Sequence, residues 1–175
     1  MNSSINDSQT SSATVKRPVE IGLLGYAGSG KDTAADALVR IGYHRASFAA
    51  PLKDICRALG WDGLKDPSGR KLLQEIGCSM RHYKESYWVD IARNSTPEEF
   101  GPFVWTDVRF ENEAQMIRDR GGKIIRIMRP LLPTDEMYNH ESEKSVSDVP
   151  YDHLIVNGGS VDELHAEIRE YVRNL

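Results

Sequence analysis

Gly25-Tyr26-Ala27-Gly28-Ser29-Gly30-Lys31-Asp32-Thr33 follows the apolar run Ile21 to Leu24 and opens a helical pattern carrying Ala34, Ala35, Ala37, Leu38 and Ile41. Strand, glycine loop and helix in that order make a phosphate cradle. Glycines let consecutive backbone N–H groups turn inward around phosphate oxygens. The helix start adds its positive dipole end, and the Lys31 ammonium reaches the β- and γ-phosphates. Gly25, Ala27, Gly28, Ser29, Gly30, Lys31, Asp32 and Thr33 are therefore the candidate nucleotide-binding residues. One position departs from the usual pattern: Asp32 stands where a Ser or Thr normally follows the lysine, with Thr33 one residue later. Its carboxylate either holds Mg2+, directly or through water, or caps the helix while Thr33 supplies the hydroxyl. A glycine-rich turn with a solvated lysine is the bland alternative, and the flanking strand and helix argue against it.

Outward from this loop, short apolar runs alternate with longer amphipathic segments. Strands are expected at Glu20 to Leu24, Tyr43 to Phe48, Phe103 to Asp107, Lys123 to Met128 and His153 to Val156. Helices are expected from Gly30, near Leu52 to Leu59, Gly69 to Met80, Tyr87 to Asn94, Asn112 to Asp119 and Val161 to Val172. The alternation predicts an α/β fold of three layers around a five-stranded parallel sheet. The last helix is the best marked, because Ser160 and Glu163 form a capping-box pattern. Residues 1–17, rich in Ser, Asn and Thr, have nothing to bury and are expected to be a disordered tail. The remainder, 18–175, fits one domain.

Composition narrows the function. A formal net charge of −4 over 175 residues disfavours a protein that wraps a nucleic-acid backbone and leaves small anionic ligands as the better partners. No apolar run approaches the roughly 20 residues of a membrane span. Cys56 and Cys78 fit neither a disulfide framework nor a metal pattern, which points to reduced thiols in a cytoplasm. Monomer and homodimer are both compatible with the sequence.

Phe103-Val104-Trp105-Thr106-Asp107 is an apolar strand ending in a carboxylate, the place where a P-loop fold brings an acid near metal or acceptor. Arg109 follows two residues on, and an Asp-x-Arg pair past a strand end suits a cleft holding two anions. Asp107 and Arg109 are thus candidates for catalysis and acceptor binding, and Asp107 with Asp32 for the metal. Residues 47–95 form a candidate acceptor-binding lobe. Lys53, Arg70 and Arg81 would meet phosphate there, and Phe48, Tyr87 and Trp88 would offer faces to a base, although each singly also suits helix surface or core. Residues 130–150, with three prolines and His140, Glu143 and Lys144, are too long for an ordinary connection and are expected to be a lid. Asn157 and Gly158 sit at a strand end where an adenine edge is read.

With these elements in view, the sequence resembles the phage-type deoxynucleoside monophosphate kinases, relatives of dephospho-CoA kinase and animal phosphomevalonate kinase among the P-loop kinases. The resemblance runs from Val19 to the C-terminus. It rests on GYAGSGKDT, SFAAPLK, RKLLQEIG with a later arginine and Trp88, TDVRFENE, IRIMRP, HESE and IVNGG. It implies that Lys31, Asp107, Arg109, Arg129 and the lid residues surround the phosphates, that Gln74 and Glu143 join the acceptor set, and that ATP, Mg2+ and a deoxynucleoside monophosphate are the ligands. SFAAPLK carries Ala50 where an aspartate is frequent in such kinases, which leaves open another phosphorylated acceptor of the dephospho-CoA type. A nucleotide-dependent switch is the alternative from a different class. A phosphate acceptor is already largely a dianion at neutral pH and needs no protein base, whereas a hydroxyl acceptor would need one, and Asp107 would then serve.

Overall fold

The computed structural model describes residues 18–130 and 145–175. The expected tail at 1–17 and most of the expected lid, with His140, Glu143 and Lys144, lie outside the described residues.

The five strands are β1 (Ile21–Leu24), β2 (His44–Ala46), β3 (Phe103–Val108), β4 (Lys123–Met128) and β5 (His153–Val156). They form one parallel sheet in the order β2-β3-β1-β4-β5. All four residues of β1 are buried, as a central strand covered on both faces requires. On one face, Ile21, Leu23, Val104, Ile125, Ile127 and Ile155 pack under helices α1 (Lys31–Val39) and α6 (Val161–Arg173). On the other, Leu24, Trp105, Val108 and Ile124 pack under α4 (Tyr87–Ser95) and α5 (Glu111–Asp119). This is the expected three-layer α/β fold. Gly22 permits the close approach of α5, since a Cβ there would lie 2.8 Å from Ile117 Cδ1.

A third apolar cluster stands off the sheet, where α2 (Ala50–Ala58), α3 (Pro67–Tyr83) and α4 bury Leu52, Cys56 and Trp88 against Leu72, Leu73, Ile76 and Met80. Helix α3 starts before the expected Gly69. Asp66 accepts the Gly69 N–H at 2.7 Å and Pro67 takes the first helical position, a start signal of fixed-φ proline behind a capping acid. Both cysteines are free, and Cys56 is buried, which pushes its thiol pKa up. Ser160 and Glu163 close the expected capping box at the head of α6. Strand β2 ends at Ala46 rather than Phe48, because Ser47, Phe48 and Ala49 leave the sheet ladder to bond a side chain of β3.

Candidate nucleotide and acceptor sites

The loop between β1 and α1 lies at the carboxyl edge of the sheet, beside the point where strand order reverses, the usual ligand position in such folds. Gly30 caps α1 with φ of 106°, a left-handed conformation that glycine adopts without strain. The Lys31 ammonium donates to the carbonyls of Gly25 at 2.6 Å and Tyr26 at 2.7 Å, which holds it inside the cradle. Ser29 is buried, and its hydroxyl has no hydrogen-bond partner among the described residues. Gly28 is exposed, Ala27 half-buried. Thr33 is also half-buried, and its carbonyl accepts from His165 Nε2 at 3.0 Å, which places the imidazole proton on that nitrogen.

Two residues of this half of the site have partners in the structure. Asp32 does not cap α1, which has no side-chain cap; its carboxylate lies on the exposed flank, paired with Arg45 at 2.9 Å. Asn157 is half-buried just past β5. Its Nδ2 donates to the Ser29 carbonyl at 2.8 Å, tying the end of β5 to the loop. Gly158 and Arg129 are exposed nearby, and the position of a Cβ on Gly158 would lie 4.0 Å from Pro130. Tyr26 donates or accepts at 2.7 Å with Ser147, on the return end of the 130–150 segment, which Val146 and Val149 anchor in the core.

On the neighbouring strand, Asp107 is placed differently from a free acid. Its Oδ2 accepts from Ser47 Oγ at 2.6 Å and Ala49 N at 3.0 Å, and its Oδ1 accepts from Phe48 N at 2.9 Å. Helix α2 has no side-chain cap of its own, and a carboxylate on β3 holds the turn that leads into it, including the N–H of its N-cap residue Ala49. Asp107, Arg109, Arg81, Phe48 and Trp88 come together around one cleft, with Glu113 completing its wall. The Arg81 guanidinium lies 4.0 Å over the Phe110 ring, a cation–π contact.

The aromatic faces are not presented as expected. Phe48 stacks on Trp105 at 4.5 Å, and Trp88 donates from Nε1 to the Gly77 carbonyl at 3.1 Å while Tyr87 meets it edge-on. Phe48 and Trp88 are core residues that also line the cleft, and Tyr87 is half-buried outside it. Lys53 and Gln74 are half-buried on α2 and α3 without lining the cleft, and Arg70 turns back to donate to the Lys65 carbonyl at 2.9 Å. A larger hollow lies at the opposite edge of the sheet, walled by Val19, Ile41, Tyr43 and Val172, and has no relation to the phosphate cradle.

Glu113 is the residue that sequence reasoning missed. Its Oε2 accepts from Arg109 N at 2.8 Å and Phe110 N at 3.2 Å, and its side chain is 3% exposed. Burial pushes its pKa up to about 7, helped by the Asp107 charge and opposed by the two amides and Arg81. The available signal was its place as third residue of α5, where a glutamate reaches back to the helix start.

The deoxynucleotide monophosphate kinase family model matches residues 56–168. A protein of Acanthamoeba polyphaga mimivirus described as a putative deoxynucleotide monophosphate kinase is 32% identical over 89% of this chain and 97% of its own length. The deoxynucleotide monophosphate kinase of Escherichia phage RB69 is 26% identical over 59% of this chain, which spans 44% of that protein. Among solved structures, dephospho-CoA kinase from Campylobacter jejuni is 14% identical, with a TM-score of 0.44 over 89% of this chain and 96% of its own. TT1252 from Thermus thermophilus is 17% identical, with a TM-score of 0.48 over 91% and 99%. The family match covers more than half of a chain whose glycine loop and arginine-lined cleft stand on adjacent strands, and the chain therefore belongs to the deoxynucleotide monophosphate kinases, a family of nucleotide kinases.

Proposed function

We propose that the protein transfers the γ-phosphoryl group of ATP to a deoxynucleoside monophosphate, giving the diphosphate and ADP. One observation carries this reading: β1 and β3 pair directly, Leu24 opposite Val108, so the cradle and the Asp107-Val108-Arg109 turn open side by side. A donor phosphate in the cradle and an acceptor phosphate at the arginines would then meet in line.

An acceptor phosphate oxygen attacks the γ-phosphorus as the bond to the β–γ bridging oxygen breaks, and ADP leaves with that electron pair. The acceptor is a dianion, so no protein group takes a proton. Lys31 stabilises the β- and γ-oxygens, and Arg109 and Arg129 neutralise charge spread over the transferring group. The donor set fits Mg2+ arriving on the nucleotide. Mg2+ commonly keeps its waters and takes one or two carboxylates beside phosphates, and Asp32 is an exposed carboxylate on the first turn of the helix that follows the cradle. Asp32 would hold Mg2+ by giving up its pairing with Arg45, and the bound ion would screen the phosphate charges. The role of lid for 130–150 rests on its sequence.

A hydroxyl acceptor would need Asp107 as base, yet both of its oxygens already receive donors from Ser47, Phe48 and Ala49. That weighs against a dephospho-CoA type reaction. The test is a panel of nucleoside monophosphates and dephospho-CoA with ATP and Mg2+. At least one deoxynucleoside monophosphate should turn over at about 1 to 100 s−1, the usual range for kinases. Dephospho-CoA should be about 100-fold poorer in kcat/KM. A better rate with dephospho-CoA would overturn the reading.

A further inference from the structure

Glu113 has no part in the chemistry above, yet it occupies the cleft wall between both arginines. We propose that Glu113 is a positioning residue for the acceptor: by accepting the amides of Arg109 and Phe110 it fixes the turn after β3, and so holds Arg109 and Arg81 where a phosphate monoester docks. The link to Arg109 is direct, through its own N–H at 2.8 Å. The link to Arg81 runs through Phe110, whose amide Glu113 holds at 3.2 Å and whose ring carries the Arg81 guanidinium at 4.0 Å. Two cations on different elements, one after β3 and one on α3, thus share a single anchor.

A cap alone would not require this placement. Glu113 is buried beside a second carboxylate, an arrangement that costs stability and that functional sites tolerate. The charged groups facing it are Asp107 from β3, Arg109 from the following turn and Arg81 from α3. Among the described residues, Phe48 and Ala49 from the turn before α2, Leu52 from α2 and Trp88 from α4 line the same wall without adding a charge.

The inference rests on the acceptor being a phosphate monoester, and the experiment separates the two. Wild type, Glu113→Ala, Glu113→Asp and Glu113→Gln are prepared as full chains, checked for folding by thermal melting, and assayed for kcat and for KM of each substrate. Glu113→Ala should raise acceptor KM about 10-fold or more while ATP KM moves less than about 2-fold. Glu113→Gln, which keeps an oxygen opposite the two amides, should recover acceptor KM to within about 3-fold of wild type. It should also reduce the pH profile of acceptor kcat/KM between about pH 6 and 8 to the titration of the acceptor phosphate alone. A folded Glu113→Ala with unchanged acceptor KM, or with both KM values raised equally, overturns the proposal. Should that variant not fold, Glu113→Asp decides, because its carboxylate falls a methylene short; unchanged acceptor KM there overturns it equally. If wild type uses dephospho-CoA and no nucleoside monophosphate, the functional reading falls while the KM split, read with that acceptor, still tests Glu113. No turnover with any acceptor sinks both.

Discussion

The side-chain amide of Asn157, at the end of β5, donates to the Ser29 carbonyl at 2.8 Å, and the same nitrogen fills the space that a Cβ on Gly30 would enter. The edge strand of the sheet thereby braces the cradle that follows its central strand. Loss of the brace should act on the nucleotide side of the site and leave the arginine cleft alone.

Asn157→Ala should lower stability by about 1 kcal/mol, the usual worth of one hydrogen bond, and raise ATP KM about 3- to 10-fold with little change for the acceptor. Gly30→Ala should be worse, since the new methyl meets both a left-handed φ of 106° and the Asn157 amide. Calorimetric titration of ATP into each folded variant checks the pair. Wild-type ATP affinity in Gly30→Ala would remove the tight-cradle account.

The two candidate metal carboxylates should separate in a Mg2+ titration. Asp32→Asn should raise the Mg2+ concentration needed for half-maximal rate, because its side chain stands free of the loop apart from Arg45. Asp107→Asn should leave the Mg2+ midpoint where it is. It should instead lower stability by about 1 to 3 kcal/mol and raise acceptor KM, since an amide offers one accepting oxygen to three donors at the start of α2. An Asp107→Asn enzyme rescued by excess Mg2+ would return that carboxylate to the metal.

Lys31→Ala should fold normally and lose roughly 100- to 1,000-fold or more in kcat, because the ammonium faces charge that shifts during transfer. Its ammonium is anchored on the Gly25 and Tyr26 carbonyls of the loop itself, outside the apolar core. Near-normal turnover in the folded variant would overturn the cradle assignment.

Glu113 should leave a mark on stability against pH. Its carboxyl, ordinarily near 4.5, is pushed to about 7 in the native state, chiefly by burial. Between those values the native protein binds the proton more tightly than the unfolded chain, so this group's favourable contribution is complete below about pH 4.5. It is lost as pH rises through about 7, by an amount on the order of 3 kcal/mol. Urea unfolding of wild type and Glu113→Gln at about pH 5 and pH 8 tests the sign: wild type should lose more between the two. Parallel losses would show the carboxyl to be ordinary.

Local, contiguous physics made much of this molecule legible in its sequence. The glycine loop, its lysine and the strand before it act through backbone conformations and a side chain within a few residues, and burial on both faces made the central strand β1 an apolar run. The helix at Val161 announced itself through Ser160 and Glu163 for the same reason. Which partners each carboxylate has was decided only by tertiary structure. Asp107 reads as a strand-end acid, yet its partners Ser47, Phe48 and Ala49 lie about 60 residues away in sequence and reach it because β2 pairs with β3. Asp32 meets Arg45 across the α1 to β2 turn, and Asn157 meets Ser29 from the far end of the chain. Glu113 sits only four residues from Arg109, but its importance comes from burial beside Asp107 and Arg81. A hydrogen bond's partner is chosen by which donors the packed chain brings within about 3 Å, and only packing decides that for residues distant in sequence.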